Sequence, residues 1–297
     1  NDILVQDAKC NLYLINKAGR ILWKQPLKEK IISEVFEVDY FKNQKIQFAF
    51  STENYIYIVD RIGNTVEHYP MKLQSPASAG ISVFDYDNNK NYRIIVPCKN
   101  KEIFVFNIEG KRLKDWKFEQ SDYPIEQPIE HYRVKDKDFI VCTDKYNVYV
   151  LNRKGERRFE LKEKFETAKN CKISLDKRDN NRATAFIVND KNGNIKRINF
   201  EGVVSTLELD NFSQDHWYGC ADITKDGNND FVFIDDGTVY AFDSEGKELF
   251  KFNCNNSIIF PPRFYEFNDD VLIGVVDYEG DKIYLFNDNG SIYPRFP

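Results

Sequence analysis

The side chains best spaced to hold an ion lie between positions 222 and 230. Asp222, Thr224, Asp226, Asn228 and Asp230 stand at alternate positions, with Gly227 where the backbone must turn sharply. Alternate oxygen-bearing side chains can converge on one hard cation, and calcium takes such ligands. Thr224 stands where Asp or Asn is usual, and no Glu follows at the twelfth position to close an EF-hand. The other reading is a polar strand connection held by Asp and Asn side chains bonding to the backbone. Calcium is the one ion these residues suggest, and no organic cofactor is expected.

Two further stretches carry weaker versions of this loop. DYDNNKNYR places Asp85, Asp87, Asn89 and Asn91 in register, but puts Arg93 where an acidic ligand would close the site. A fixed cation there opposes calcium. DKRDNN, with Asp176, Arg178 and Asn180, departs further. The three together suggest an old loop kept mainly as a turn.

Other chemistry has less to stand on. The cysteines at 10, 98, 142, 171, 220 and 254 are scattered singly, with no CxxC pair and no zinc spacing. They read as small buried hydrophobes, with one or two disulfides between neighbouring repeats as the alternative. Lys and Arg are interleaved with Asp and Glu at a net charge of -5. That leaves no basic block for nucleic acid. The longest apolar runs, such as Ile56 to Val59, fall far short of the ~20 residues that cross a bilayer, so no membrane span is expected. The chain starts at Asn1 without a signal-like profile, and any targeting segment is expected to have been removed or to lie upstream.

The elements that must position these residues follow from a repeat. Four strand residues, then Asn or Asp, two variable residues and Gly, recur seven times. The copies are LYLINKAG, IYIVDRIG, IFVFNIEG, VYVLNRKG, IKRINFEG, VYAFDSEG and IYLFNDNG, ending at glycines 19, 63, 110, 155, 202, 246 and 290. Asn or Asp can bond its own backbone at a turn, and Gly accepts the positive φ of a bulged hairpin. The strand before each turn is apolar on both faces, as in a sheet packed between two others. With room for about four strands in each unit, the period is that of propeller blades.

The expected fold is therefore all-β: a seven-bladed β-propeller of four-stranded antiparallel blades. Its blades span about 1–27, 28–73, 74–122, 123–165, 166–212, 213–256 and 257–297. The first blade lacks its inner strand, which suggests a single domain excised from a longer protein. Lys196 and Arg197 break the fifth repeat, and their heads are expected to reach water or a partner. Trp23, Trp116 and His68 are expected on outer strands.

The unit TVYAFDSEGKELFKF resembles the repeat of quinoprotein dehydrogenases and of the outer-membrane assembly factor that shares their fold. CADITKDGNNDFVFID is similar to FG-GAP and VCBS repeats, whose loop can hold calcium. The resemblance implies a bacterial propeller repeat protein outside the cytoplasm, in the periplasm or at the cell surface. A quinone site would usually offer adjacent cysteines and a Trp platform, and this chain has no adjacent cysteines.

In a propeller, loops from every blade converge at the channel mouth. The residues expected there are Gln127, His131, Asn170, His216, Trp217, Tyr218 and Arg263. The run His216 to Tyr218 could stack on a sugar or clamp a peptide, or could simply pack between blades. The leading expectation is a noncatalytic, monomeric interaction module for a protein, peptide or glycan. Its rivals are a lyase or hydrolase using channel-mouth polar residues, and a structural spacer.

Overall fold

The computed structural model describes residues 2–176, 184–267 and 270–297. The seven turns form as their residues dictate. In the first, Asn16 Oδ1 accepts the N–H groups of Ala18 and Arg20 at 3.0 Å each. The Gly19 N–H donates to the Asn16 carbonyl at 2.9 Å, at a φ of 76°. That glycine-to-first-residue bond recurs in all seven turns, each glycine in the left-handed region where a side chain would be strained.

Seven antiparallel sheets follow one another along the chain, and no helix forms among the described residues. Sheet 1 has β1 (Ile3–Gln6), β2 (Asn11–Ile15) and β3 (Ile21–Pro26). Sheet 2 has β4 (Phe36–Val38), β5 (Gln47–Ser51), β6 (Tyr55–Asp60) and β7 (Met71–Lys72). Sheet 3 has β8 (Ser82–Phe84), β9 (Arg93–Pro97) and β10 (Ile103–Asn107). Sheet 4 has β11 (Glu130–Val134), β12 (Lys137–Thr143), β13 (Val148–Leu151) and β14 (Arg157–Phe159). Sheet 5 has β15 (Ser174–Asp176), β16 (Ala185–Asn189), β17 (Ile195–Asn199) and β18 (Val204–Leu207). Sheet 6 has β19 (Trp217–Ala221), β20 (Asp230–Asp235), β21 (Thr238–Phe242) and β22 (Glu248–Asn253), and sheet 7 has β23 (Arg263–Phe267), β24 (Asp270–Asp277) and β25 (Lys282–Phe286). In each sheet neighbouring strands are consecutive in sequence.

The chain divides into two compact units, residues 1–144 with 150–158 and residues 145–149 with 159–297. Within each, successive sheets pack face to face by one rule. The aromatic column of a turn strand faces the preceding sheet, and the aliphatic column beside it faces the following one. In the first unit Ile56 and Ile58 of β6 pack with Phe104 and Phe106 of β10. In the second, Val239 and Ala241 of β21 pack with Tyr284 and Phe286 of β25. Being buried on both sides explains why these strands do not alternate.

Three expectations need correction. Sheets 3 and 7 lack the expected outer strand: after their turns only the bridges Phe106–Arg112 and Phe286–Ile292 form. In sheet 3 the chain leaves the edge so that Trp116 covers Gly155, and the Lys117 N–H bonds the Lys154 carbonyl at 2.8 Å. Trp116 therefore lies off any strand, and His68 lies in a turn before β7. Lys196 and Arg197 do not reach water. Lys196 is 9% exposed, its Nζ bonded to Thr206 Oγ1 at 2.9 Å and 3.5 Å from Asp190. Arg197 bonds Asp176 at 3.1 Å and the Ser244 carbonyl at 2.6 Å. A buried charge is retained only where it is paired.

Candidate functional site

The first-to-second strand loops of sheets 2, 3 and 6 share one construction. An Asp at the end of the inner strand turns back on N–H groups four and five residues ahead. Asp39 accepts from Asn43 and Gln44 at 2.9 and 2.8 Å, and Asp85 from Asn89 and Lys90 at 3.0 and 2.7 Å. Asp222 accepts from Gly227 at 3.1 Å.

The five residues suggested for calcium are placed in the last of these loops. Asp230 Oδ2 accepts from the N–H groups of Ile223 and Thr224 at 2.9 and 2.8 Å and from Thr224 Oγ1 at 2.9 Å. Asp226 accepts from the Asn228 N–H at 2.7 Å. Burial raises the pKa of Asp230 above the ordinary carboxylate value. Asp222 Oδ1 and Asp230 Oδ1 are buried without a hydrogen-bond partner, the feature of this loop that still suits a cation. The other oxygen of each of these two carboxylates accepts from the loop's own N–H groups. Among the described residues no three carboxylate, imidazole or thiol side chains converge to hold a metal. Of the weaker loops, Asp176 pairs with Arg197, while Arg178 and Asn180 lie outside the described residues.

Asp87 leaves its own loop altogether and joins a polar network between sheets 3 and 4, within the first unit. Arg153, from the sheet 4 turn, grips its carboxylate with both terminal nitrogens, at 3.0 and 2.8 Å. These bonds are the main reason that the pKa of Asp87 is lowered. Arg153 Nε stands 2.6 Å from Asp138 Oδ2, and the other Asp138 oxygen meets His131 Nε2 at 2.8 Å. Arg158 donates twice to the Asp138 carbonyl, at 2.8 and 2.6 Å. Arg133 and Arg153 both donate to the Tyr86 carbonyl, and the Arg153 guanidinium lies 4.7 Å from the Tyr86 ring centroid. His131 is packed against Phe84 and Tyr86, with ring centroids 5.2 and 4.9 Å away.

Of this network the sequence pointed only to His131 and Asp87. Asp138 lies at the start of β12, beside the β11–β12 turn, and its burial obliges it to find partners.

The other candidates divide between the units: Gln127 and His131 lie in the first, Asn170, His216, Trp217, Tyr218 and Arg263 in the second. His216 is wholly buried. Its Nδ1 donates to the Ser213 carbonyl at 2.5 Å, so its Nε2 accepts from the Asn189 amide at 2.6 Å. Burial lowers its pKa, which favours the neutral ring. Asn170 is brought to it, donating to the His216 carbonyl at 3.2 Å. Trp217 and Tyr218 point to opposite faces of β19. Trp217 packs toward sheet 7 and donates to the Ile258 carbonyl, whereas Tyr218 is buried against Phe233. The run from His216 to Tyr218 therefore offers no joint platform for a sugar. Gln127 is partly buried before β11, and Arg263 is exposed at the start of β23.

All six cysteines are free. Burial raises Cys98, Cys171 and Cys220 to about 12 and Cys254 to about 11, and raises Cys142 too. Such thiols are protonated at neutral pH and are weak nucleophiles.

The chain resembles solved propeller structures along nearly its whole length. It matches the BBS1N chain of a BBS1N–ARL6DN complex with a TM-score of 0.63 at 12% identity, covering 99% of this chain and 88% of that one. BamB from Moraxella catarrhalis matches with a TM-score of 0.54 at 12% identity, covering 100% and 80%. NirN in complex with DHE matches with 0.57 at 10%, covering 96% and 60%. The fold is that of a β-propeller. At such identities the likeness extends to fold alone. No protein-family model and no curated protein matches the chain.

Proposed function

We propose that the seven sheets are the blades of one seven-bladed propeller, the first blade incomplete, and that it serves as a noncatalytic interaction module for a protein or peptide. The reading takes up two exposed apolar faces among the described residues, one in each unit. In the first unit, the backward face of sheet 1 bears Ile3 and Val5, 57% and 41% exposed. In the second, the forward face of sheet 7 bears Tyr265, Phe267 and Ile283, 54%, 50% and 54% exposed. Within the units such faces pack on their opposite kind, as between sheets 2 and 3 and between sheets 6 and 7. Likewise Trp23 covers Gly63 and Phe250 covers Gly290, but nothing lies within 4 Å of the Cβ position of Gly19.

The observation that carries the binding function is the network around Arg153. It departs from the repeat at an exposed loop end, and its charged groups are bound to one another, not left poised for proton transfer. The BBS1N–ARL6DN complex shows a chain of this fold acting with a protein partner. The buried, protonated thiols and the neutral, doubly bonded His216 support a noncatalytic reading over a hydrolase or lyase. An extracytoplasmic setting belongs to the same reading, and burial shields Cys98, Cys142, Cys171 and Cys254 from oxidation there.

The test compares capture of partners from native extract by the wild-type protein and by Arg133→Glu, which reverses a charge at a half-exposed residue of the network, with the melting curve of the variant checked against wild type. Loss of a specific partner in the variant supports the reading. Unchanged capture, or a turnover that depends on His131, refutes it.

A further inference from the structure

We infer that the Arg153 fork, flanked by Arg133 and Arg93, is an oxyanion-binding subsite, and that Asp87 is its tethered occupant. This deepens the interaction-module reading and rests on it.

The repeat does not require Asp87. Asp85 already closes the loop, and the positions equivalent to Asp87 hold Phe41 in sheet 2 and Thr224 in sheet 6. Its side chain is 55% exposed, and its bonds to Arg153 span 66 residues.

Arg153, by contrast, is held in place without Asp87. Its Nε stands 2.6 Å from buried Asp138 as an ion pair, not aligned for a hydrogen bond, one terminal nitrogen donates to the Tyr86 carbonyl, and its plane lies over the Tyr86 ring. What remains is a pre-set pair of donors with the spacing of two oxygens on one carboxylate or phosphoryl group. Asp138, buried at the start of β12, is the charged partner that aims the fork.

Charge favours an incoming anion. Arg133 and Arg93 act on Asp87 along with Arg153. Both guanidinium groups spend donors on backbone carbonyls: Arg133 on Tyr86, Arg93 on Asn91 and Tyr92. If Asp87 swings out, Arg153 keeps its ion pair with Asp138 and Arg133 stands 3.9 Å from the exposed Asp136. An external carboxylate or phosphoryl group can then take the place of Asp87. A tethered competitor lowers apparent affinity by holding the free site at low population.

The experiment titrates purified protein with inorganic phosphate and with acetate against chloride of equal ionic strength, following the backbone amide signals of residues 85–90 by NMR. Wild type should bind phosphate weakly, and Asp87→Ala about tenfold or more tightly, as expected when a tethered competitor is removed. Asp87→Ala with Arg153→Lys keeps the charge beside Asp138 but loses the fork, and should lose saturable binding. Asp87→Ala with Arg133→Gln, altered only at a half-exposed surface residue, should weaken binding several-fold without unfolding, through loss of one nearby charge. Phosphate tighter than acetate in Asp87→Ala assigns a phosphoryl ligand; parity assigns a carboxylate. Equal affinities for wild type and Asp87→Ala, or binding that survives Arg153→Lys, overturns the subsite. If phosphate does not bind but Arg133→Glu still loses its partner, only this inference falls and the interaction-module reading stands.

Discussion

Asp230 in sheet 6 does with a carboxylate what Gln47 does with an amide in sheet 2. Gln47 Oε1 accepts the Tyr40 N–H at 2.7 Å, and Asp230 Oδ2 accepts the equivalent N–H, that of Ile223, at 2.9 Å. Each sits eight residues after the acid that closes its loop. One repeat closes this corner with a neutral side chain and the other with a buried acid.

Asp230→Asn should therefore be tolerated, and the balance should shift with pH. The folded pKa of Asp230 is raised above 3.8. Its contribution to stability is present below the unfolded value and is lost as pH rises through the folded one. The Asn variant should gain on wild type from pH 4 toward neutrality and be at least as stable at pH 7, by about 1 kcal/mol. Paired urea melts across that range measure this. A variant markedly less stable at pH 7 would mean that the charge is needed.

Calcium should leave the melting temperature of chelator-treated protein unchanged at millimolar concentration, because the loop carboxylates already have donors of their own. A ligand that bound only the folded state would raise it by mass action. A rise that Asp226→Ala removes and Asp87→Ala retains would show that Asp222 Oδ1 and Asp230 Oδ1 turn toward an ion after all.

The turns were legible in the sequence because their requirements are local: a side-chain acceptor such as Asn16 and a glycine such as Gly19, three residues apart. The inner and central strands followed from the spacing. What could not be read depends on distant partners. Trp116 leaves the edge of sheet 3 because Gly155, in the next sheet, offers a surface for its ring. Lys196 looked solvent-seeking until Asp190 and Thr206 supplied polar neighbours. Asp87 looked like a weak calcium ligand, and its partner Arg153 lies in another repeat. His216, Trp217 and Tyr218 are contiguous in sequence, yet β-strand alternation sends the two aromatic rings to opposite faces.

His216 should make the protein sensitive to mild acid. Its folded pKa is depressed below 6.5 by burial. Its contribution to stability is thus full above the unfolded value and is lost as pH falls from about 6.5 toward the folded one. His216→Gln can keep a bond to Ser213 or Asn189 without a titrating ring. It should cost stability at pH 7.5 and narrow the gap with wild type as pH drops to 5. A gap that is constant over this range would show that His216 does not titrate on unfolding.

Ring closure makes the sharpest demand on Ile3 and Ile283. If sheets 1 and 7 end on free surfaces, replacing either residue by Asp exchanges an exposed apolar group for a solvated charge, with an effect within about 0.5 kcal/mol. If their faces are the two halves of the last blade interface, each substitution places a carboxylate in an apolar seam, at a cost of about 2 kcal/mol or more. Closure also predicts coupling. Once Ile3→Asp has disrupted the seam, Ile283→Asp should cost much less than it does alone, because residues in contact are not additive. Urea unfolding of both single variants and the double variant measures all three values. Two large, non-additive losses fit a closed seven-bladed ring. Two small effects would leave both faces open in the isolated chain, as an eighth sheet completing the ring would require.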